Sequence, residues 1–182
     1  MPSIVVLDAN VLFSARLRDL WLQLSQAGVV RVFWTDAIEA EWTAAVGRAR
    51  PELSGLVART VSLMRSAFPL SYIANDQLAD VAFGLPDPLD EHVARAAAAV
   101  SGVIVTFNVS DFPESALEPH GLVAMSPDEA LLDLARNDEI GVLESVRAIR
   151  LRLKNPPIAA DAYAAGLAAI SCRQFAGGSH PE

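Results

Sequence analysis

Asp8, Glu41, Asp90 and Asp111 stand at the edges of apolar segments within the first 112 residues. Asp8 closes the run Ile4-Val5-Val6-Leu7, and Glu41 lies in a tryptophan-bearing helical pattern. Asp90 opens an alanine-rich stretch, and Asp111 follows Val103-Ile104-Val105-Thr106-Phe107. Carboxylates turned into one shared crevice repel each other unless protons or cations neutralise them. Their donor set is all oxygen, which suits Mg²⁺ or Mn²⁺ better than zinc or copper. The spacing therefore points to a divalent-metal centre that lowers the pKa of a bound water.

Each acid also has a plainer reading. Asp8, with Asn10 two residues on, can cap the following helix or turn. Glu41 shares a helix with Ile38, Trp42 and Ala45, so its carboxylate is expected at the border of that apolar face; an ion pair or a reach into water would satisfy it equally. Asp90 can serve as an ordinary N-cap, with Val93, Ala94 and Ala97 continuing its face inward. Asp111 can belong to a strand-ending turn, since Asn, Ser and Asp all favour turns. Asp87, separated from Asp90 by Pro88, is a rim candidate. Thr106 and Asn108 are two apart on an extended chain and address one side, as supports or neutral oxygen ligands. Four acids after strands and on intervening helices are more readily a cage than four independent caps.

The elements that must position them read as a parallel α/β pattern. Ile4 to Leu7, Val29 to Trp34 and Val103 to Phe107 are β-branched or aromatic runs bounded by polar residues, and a short strand is expected near Leu122 to Ala124. Helices are expected from about Ser14 to Ala27, from a cap at Thr35 or Asp36, over 52–67 and 75–83, and from Asp90 to Val100. In an open parallel sheet, groups at the carboxyl ends of strands face the functional crevice. Past Met125 the pattern becomes helical: Ser126-Pro127-Asp128-Glu129 has the form of a capping box, and helices follow through Arg136, over 138–154 and over 159–169, broken at Asn155-Pro156-Pro157. The expected organisation is an α/β/α domain over 1–125, a helical extension over 126–175 and a mobile tail over 176–182.

A chain of 182 residues, 52% hydrophobic, can bury one substantial core. Cys172 is the only cysteine, which excludes a disulfide framework and a cysteine-ligated zinc site within the chain. No apolar stretch approaches the roughly 20 residues of a membrane span, so a cytoplasmic location is expected. The net charge of −8 excludes adhesion to nucleic acid through a wholly basic surface. Of the 14 basic residues only Lys154 is lysine, and arginine's planar fork suits phosphate.

Four segments together resemble the PIN-domain family, especially the ribonuclease toxin subunits of VapBC-type toxin–antitoxin pairs. They are Val5-Val6-Leu7-Asp8-Ala9-Asn10, Ile38-Glu39-Ala40-Glu41-Trp42, Leu85-Pro86-Asp87-Pro88-Leu89-Asp90-Glu91-His92-Val93, and Ile104-Val105-Thr106-Phe107-Asn108-Val109-Ser110-Asp111-Phe112-Pro113. The resemblance covers about residues 3–125. It implies a compact PIN-like α/β/α fold around a mainly parallel sheet. It also implies a Mg²⁺- or Mn²⁺-dependent ribonuclease centred on Asp8, Glu41, Asp90 and Asp111, with Asn10, Thr106 and Asn108 supporting. An RNA substrate, an antitoxin partner that covers the groove and a homodimer follow from the same likeness. Candidate phosphate contacts are Arg16 and Arg18, or Arg147, Arg150, Arg152 and Lys154. His92 is expected as a hydrogen-bonding or surface residue. The competing readings are a PIN-like module that binds RNA or protein without catalysis, and a metal-dependent phosphatase of small substrates; Asn10 stands where an aspartyl phosphatase carries its second acid.

Overall fold

In the computed structural model, residues 2–154, 158–170 and 172–178 are described. The first apolar run forms β1 (Ser3–Leu7), with Val5, Val6 and Leu7 buried. Asp8 then starts a short helix, α1 (Ala9–Phe13), and Ser14 caps α2 (Ala15–Gln26) by accepting the Leu17 amide. Gly28, at φ 78°, ends this stretch in the left-handed conformation that glycine adopts without strain. β2 (Val30–Thr35) follows, and Thr35 Oγ1 accepts the Ile38 amide at 3.2 Å to open α3 (Asp36–Ala49). After a 3-10 turn at Pro51–Leu53 come α4 (Ser54–Ala67) and the two-residue β3 (Tyr72–Ile73).

The helix expected over 75–83 is instead a 3-10 turn, Asn75–Gln77, followed by irregular chain. Bonds to the next helix replace intrahelical ones here. The Ala79 amide donates to the Arg95 carbonyl, Arg95 Nε donates to the Ala79 carbonyl, and Phe83 and Leu85 amides donate to the Glu91 carboxylate. After a further 3-10 turn, Pro88–Asp90, α5 (Glu91–Val100) carries both anchoring residues. The segment is thus held along α5 without helical periodicity of its own.

β4 (Val103–Val105) is shorter than the 103–107 run, because the chain bends toward a 3-10 turn at Val109–Asp111. α6 (Glu114–Leu117) and β5 (Ala124–Met125) complete the α/β part. The five strands lie in the order β3-β2-β1-β4-β5, every pairing parallel, with Val5 opposite Val32 on one side and Val103 on the other. This is an α/β/α fold about a parallel sheet. From the central β1 the chain crosses to β2 on one side and later to β4 on the other, so the strand order reverses at the carboxyl ends of β1 and β4. That topological switch point is where a crevice opens in such sheets. Trp21, Trp34 and Trp42 are fully buried and build the core around it.

The helices beyond β5 are α7 (Pro127–Asn137), α8 (Glu139–Arg152), α9 (Ala160–Ala168) and α10 (Arg173–Gly178). The expected capping box is present: Ser126 Oγ accepts the Glu129 amide at 3.3 Å and Glu129 Oε2 accepts the Ser126 amide at 2.9 Å. α8 packs on α2, and the buried Asp128 accepts the Gln174 and Phe175 amides, joining α7 to α10. The Asn155-Pro156-Pro157 break and residues 179–182 of the expected tail lie outside the described residues, while 176–178 belong to α10. Among the described residues no helix is long and apolar enough to cross a membrane.

Gly102 fixes how α5 returns to the sheet. Ser101 turns left-handed at φ 51° and the Gly102 amide bonds the Ala97 carbonyl. A Cβ on Gly102 would stand 2.9 Å from Ile4 Cγ2 and 3.2 Å from the Ile4 carbonyl oxygen. Gly102→Ala should therefore lower stability by about 1–3 kcal/mol, read as a reduced urea midpoint; an unchanged midpoint would refute this close approach.

Candidate metal centre

Asp8 leaves the end of β1 almost fully buried, 7% exposed, and its carboxylate is held by three donors. The Ala9 amide donates to Oδ1 at 2.6 Å, and Asn10 Nδ2 and Thr106 Oγ1 donate to Oδ2 at 2.6 and 2.7 Å. Asp8 therefore caps α1, as its plainer reading foresaw, from the carboxyl end of β1. Its own amide donates to the Val105 carbonyl, so the ends of β1 and β4 are tied through backbone and side chain alike.

Thr106, fully buried at the end of β4, gives its proton to Asp8 and accepts from Asn10 Nδ2 at 2.9 Å and the Asn108 amide at 3.0 Å. A hydroxyl has one proton and two lone pairs, so this oxygen is saturated. Of the two roles open to it, Thr106 fills that of hydrogen-bonding support. Asn10 is similarly engaged, because its Oδ1 accepts the Phe107 amide at 3.1 Å. Asn108 contributes through its backbone.

Asp90 stands at the start of α5 with no capping bond from its side chain. Asp111 ends the turn after β4, and among the described residues no hydrogen bond reaches its carboxylate. These two acids and Asp8 lie close enough to act on one another electrostatically. Burial, then the charges of Asp8, Asp87 and Asp111, push the Asp90 carboxyl up to about 6. Burial likewise raises Asp8; the Thr106 and Ala9 bonds and His92 oppose the rise and Asp111 adds to it. Asp87 is exposed at the rim, where it accepts the Leu89 amide at 2.9 Å.

Glu41 does not lie on the apolar border of α3. Its side chain is 49% exposed and meets His92 Nε2 at 2.9 Å. The buried glutamate of that helix is Glu39, neutralised by a two-pronged contact from Arg65, which also bonds Asp36. A helical-face reading could not separate the two, because the deciding arginine comes from α4. Glu91, which sequence reasoning passed over, anchors the chain entering the Asp87–Asp90 turn through the Phe83 and Leu85 amides; nothing in the sequence marks it apart from its neighbours.

The basic candidates divide. Arg18 lies over the Trp42 ring at 4.6 Å and donates through Nη1 to the Leu12 carbonyl, one turn beyond Asp8. Burial lowers its pKa while Asp19 opposes that shift. Arg16 lies against α9, over Tyr163 at 5.8 Å and in the space a Cβ on Gly166 would fill. Arg152 is engaged with Gln23 and Asp19 on α2. Arg147 and Lys154 are exposed and Arg150 is half-buried on or just past α8.

Among the described residues, no group of three or more His, Cys, Asp or Glu side chains draws close enough together to hold a metal ion. A complete all-protein cage is thus absent from them. The donor set nevertheless fits a magnesium-like ion, which is commonly bound by one or two carboxylates and keeps several waters. The unbonded carboxylates of Asp90 and Asp111 beside the oriented Asp8 offer that kind of site, and burial, then the neighbouring acids, raises the Asp90 carboxyl.

Residues 127–180 match the family model described as VapC50 C-terminal domain. No curated protein and no solved structure matches the chain.

A carboxyl whose pKa is higher folded than unfolded contributes stability that is complete below the unfolded value and is lost as pH rises through the folded one. For Asp90 that window runs from its ordinary value of 3.8 to about 6. In chelator, Asp90→Asn should therefore stabilise the protein at pH 7 by about 1 kcal/mol, allowing for solvent screening of a partly exposed group. The gain should vanish near pH 4. Thermal melts across this range check it, and a destabilised variant at pH 7 would contradict the mutual repulsion.

Proposed function

We propose that this chain is a VapC-type PIN-domain protein, a Mg²⁺- or Mn²⁺-dependent endoribonuclease and the toxin of a toxin–antitoxin pair, a reading supported by the match of residues 127–180 to the VapC50 C-terminal domain. The observation that supports the reading is that Asp8 after β1, Asp111 after β4 and Asp90 before α5 act on one another electrostatically, with Asp90 pushed up to about 6. Uncompensated acids at a topological switch point would attract a cation, and the cation would in turn offset the negative charge of a phosphodiester.

When bound, the divalent ion would supply an activated water and offset charge on the phosphate and the leaving oxygen. The rest falls to the chain. Asp8, fixed by Thr106, Asn10 and the Ala9 amide, would present a carboxylate that need not reorganise on binding. Asp90 and Asp111 would complete the anionic face with their unbonded oxygens, and Glu41 would lie at its edge. Arg18, stacked on Trp42 and using Nη1 on Leu12, has Nε and Nη2 left to hold an RNA backbone phosphate. Arg16 and Arg152, already engaged by α9 and α2, are less suited to that task.

In this reading residues 1–125 form the catalytic domain and 126–175 the helical extension, and an antitoxin covers the crevice. A homodimer and a cytoplasmic setting accord with the family. The incomplete cage among the described residues favours one other reading, a PIN-like module that binds RNA or protein without cleaving it.

The purified chain, incubated with mixed cellular RNA, should cleave it with Mn²⁺ or Mg²⁺ and not with chelator. Asp8→Asn and Asp111→Asn, if folded by circular dichroism, should fall to the chelator background. Cleavage by Asp8→Asn at the native rate would remove Asp8 from the mechanism. RNA bound but uncut by the native chain with either metal would favour the module.

A further inference from the structure

His92 lies in the first turn of α5, two residues from Asp90, yet its ring points across to α3. A carboxylate oxygen can only accept, so the 2.9 Å contact with Glu41 Oε1 requires the proton on His92 Nε2. The ring is mostly buried, its side chain 20% exposed, whereas the Glu41 side chain is 49% exposed. Nδ1 is buried without a partner, so the ring's orientation is set by its single polar contact and by packing. The same ring is near enough to Asp8 and Asp90 for its charge to act on both carboxyls. The ring thus contacts Glu41 on α3 while its charge acts on Asp8 and Asp90.

An ordinary surface pair would leave a half-exposed glutamate free to swing into water at little cost. This pair instead links two helices with different supports: α5 packs on β1, β4 and β2, while α3 packs on α1, α4 and β2. Glu41 and His92 are 51 positions apart, so the contact depends on how α3 and α5 are set against each other.

We propose that His92 is a positioning residue for the acid centre: its Nε2–H holds the Glu41 carboxylate across the crevice, so that Glu41 acts on a divalent cation from the α3 side. This rests on the metal-dependent reading above and adds the means by which a half-exposed glutamate is recruited to it. Outer-shell hydrogen-bond partners of metal ligands typically matter by about 10- to 100-fold in metal affinity or activity. His92 itself need not touch the ion or the RNA.

Calorimetric titration of the full chain with Mn²⁺, without RNA, tests this separately from catalysis. His92→Phe fills nearly the same volume without a donor and should bind Mn²⁺ about tenfold more weakly or worse. His92→Gln restores an N–H at similar reach and should recover most of the loss. Glu41→Gln should weaken binding comparably, and the double variant His92→Phe with Glu41→Gln should be no weaker than Glu41→Gln alone, since both act through one contact. Native affinity in His92→Phe, or losses that add in the double variant, would overturn the proposal while leaving a metal-dependent centre in place. A native chain that binds no Mn²⁺ would overturn both.

Discussion

The hydrogen bond from Thr106 Oγ1 to Asp8 Oδ2 joins the ends of the two central strands, and the placement of Asp8 depends on it. A parallel sheet sets β1 and β4 side by side but does not fix what their last side chains do. Here the buried hydroxyl spends its proton on one carboxylate and both lone pairs on Asn10 and Asn108, which also aligns the chain leaving β4 toward Asp111. The buried carboxylate would be costly alone. Three donors offset the burial and set the direction in which it faces.

Around this fixed point the other acids are held less tightly, and that gradient is chemically sensible. Among the described residues no hydrogen bond reaches the Asp90 and Asp111 carboxylates, and burial, then the charges of Asp8, Asp87 and Asp111, raises the Asp90 carboxyl. Glu41 is held from a distance by His92. In the proposed reading, a rigid acid, two unbonded ones and one held by His92 make up the centre that a cation would complete. The matched helices beyond residue 126 pack through α8 onto α2, where Arg152 meets Asp19 and Gln23, so they brace the helix that carries Arg18.

The strands that place the acids were legible because Ile4–Leu7 and Val103–Val105 are continuous apolar runs closed by polar residues, a local signal that survives folding. Ser126 and Glu129 were legible for the same reason, since a capping box lies within four residues. What the sequence hid is non-local. β3 is two residues long and exists only as a partner of β2. The segment over 75–83 has helical spacing but is claimed by Arg95 and Glu91 of α5. Glu39 and Glu41 are two positions apart on one helix, and only Arg65, from another helix, decides which is buried. The acids could be named from their settings; which of them are bonded, free or tethered required the folded chain.

The central claim is that Asp8, Asp90 and Asp111 share one field that a cation relieves. The most direct measurement is a carbon-13 titration of the Asp90 carboxyl by NMR, in chelator and then in saturating Mg²⁺. The account predicts a midpoint near 6 without metal and ionisation retained well below the ordinary aspartate range with it. A midpoint that is ordinary in chelator, or one that Mg²⁺ leaves unmoved, would contradict the account.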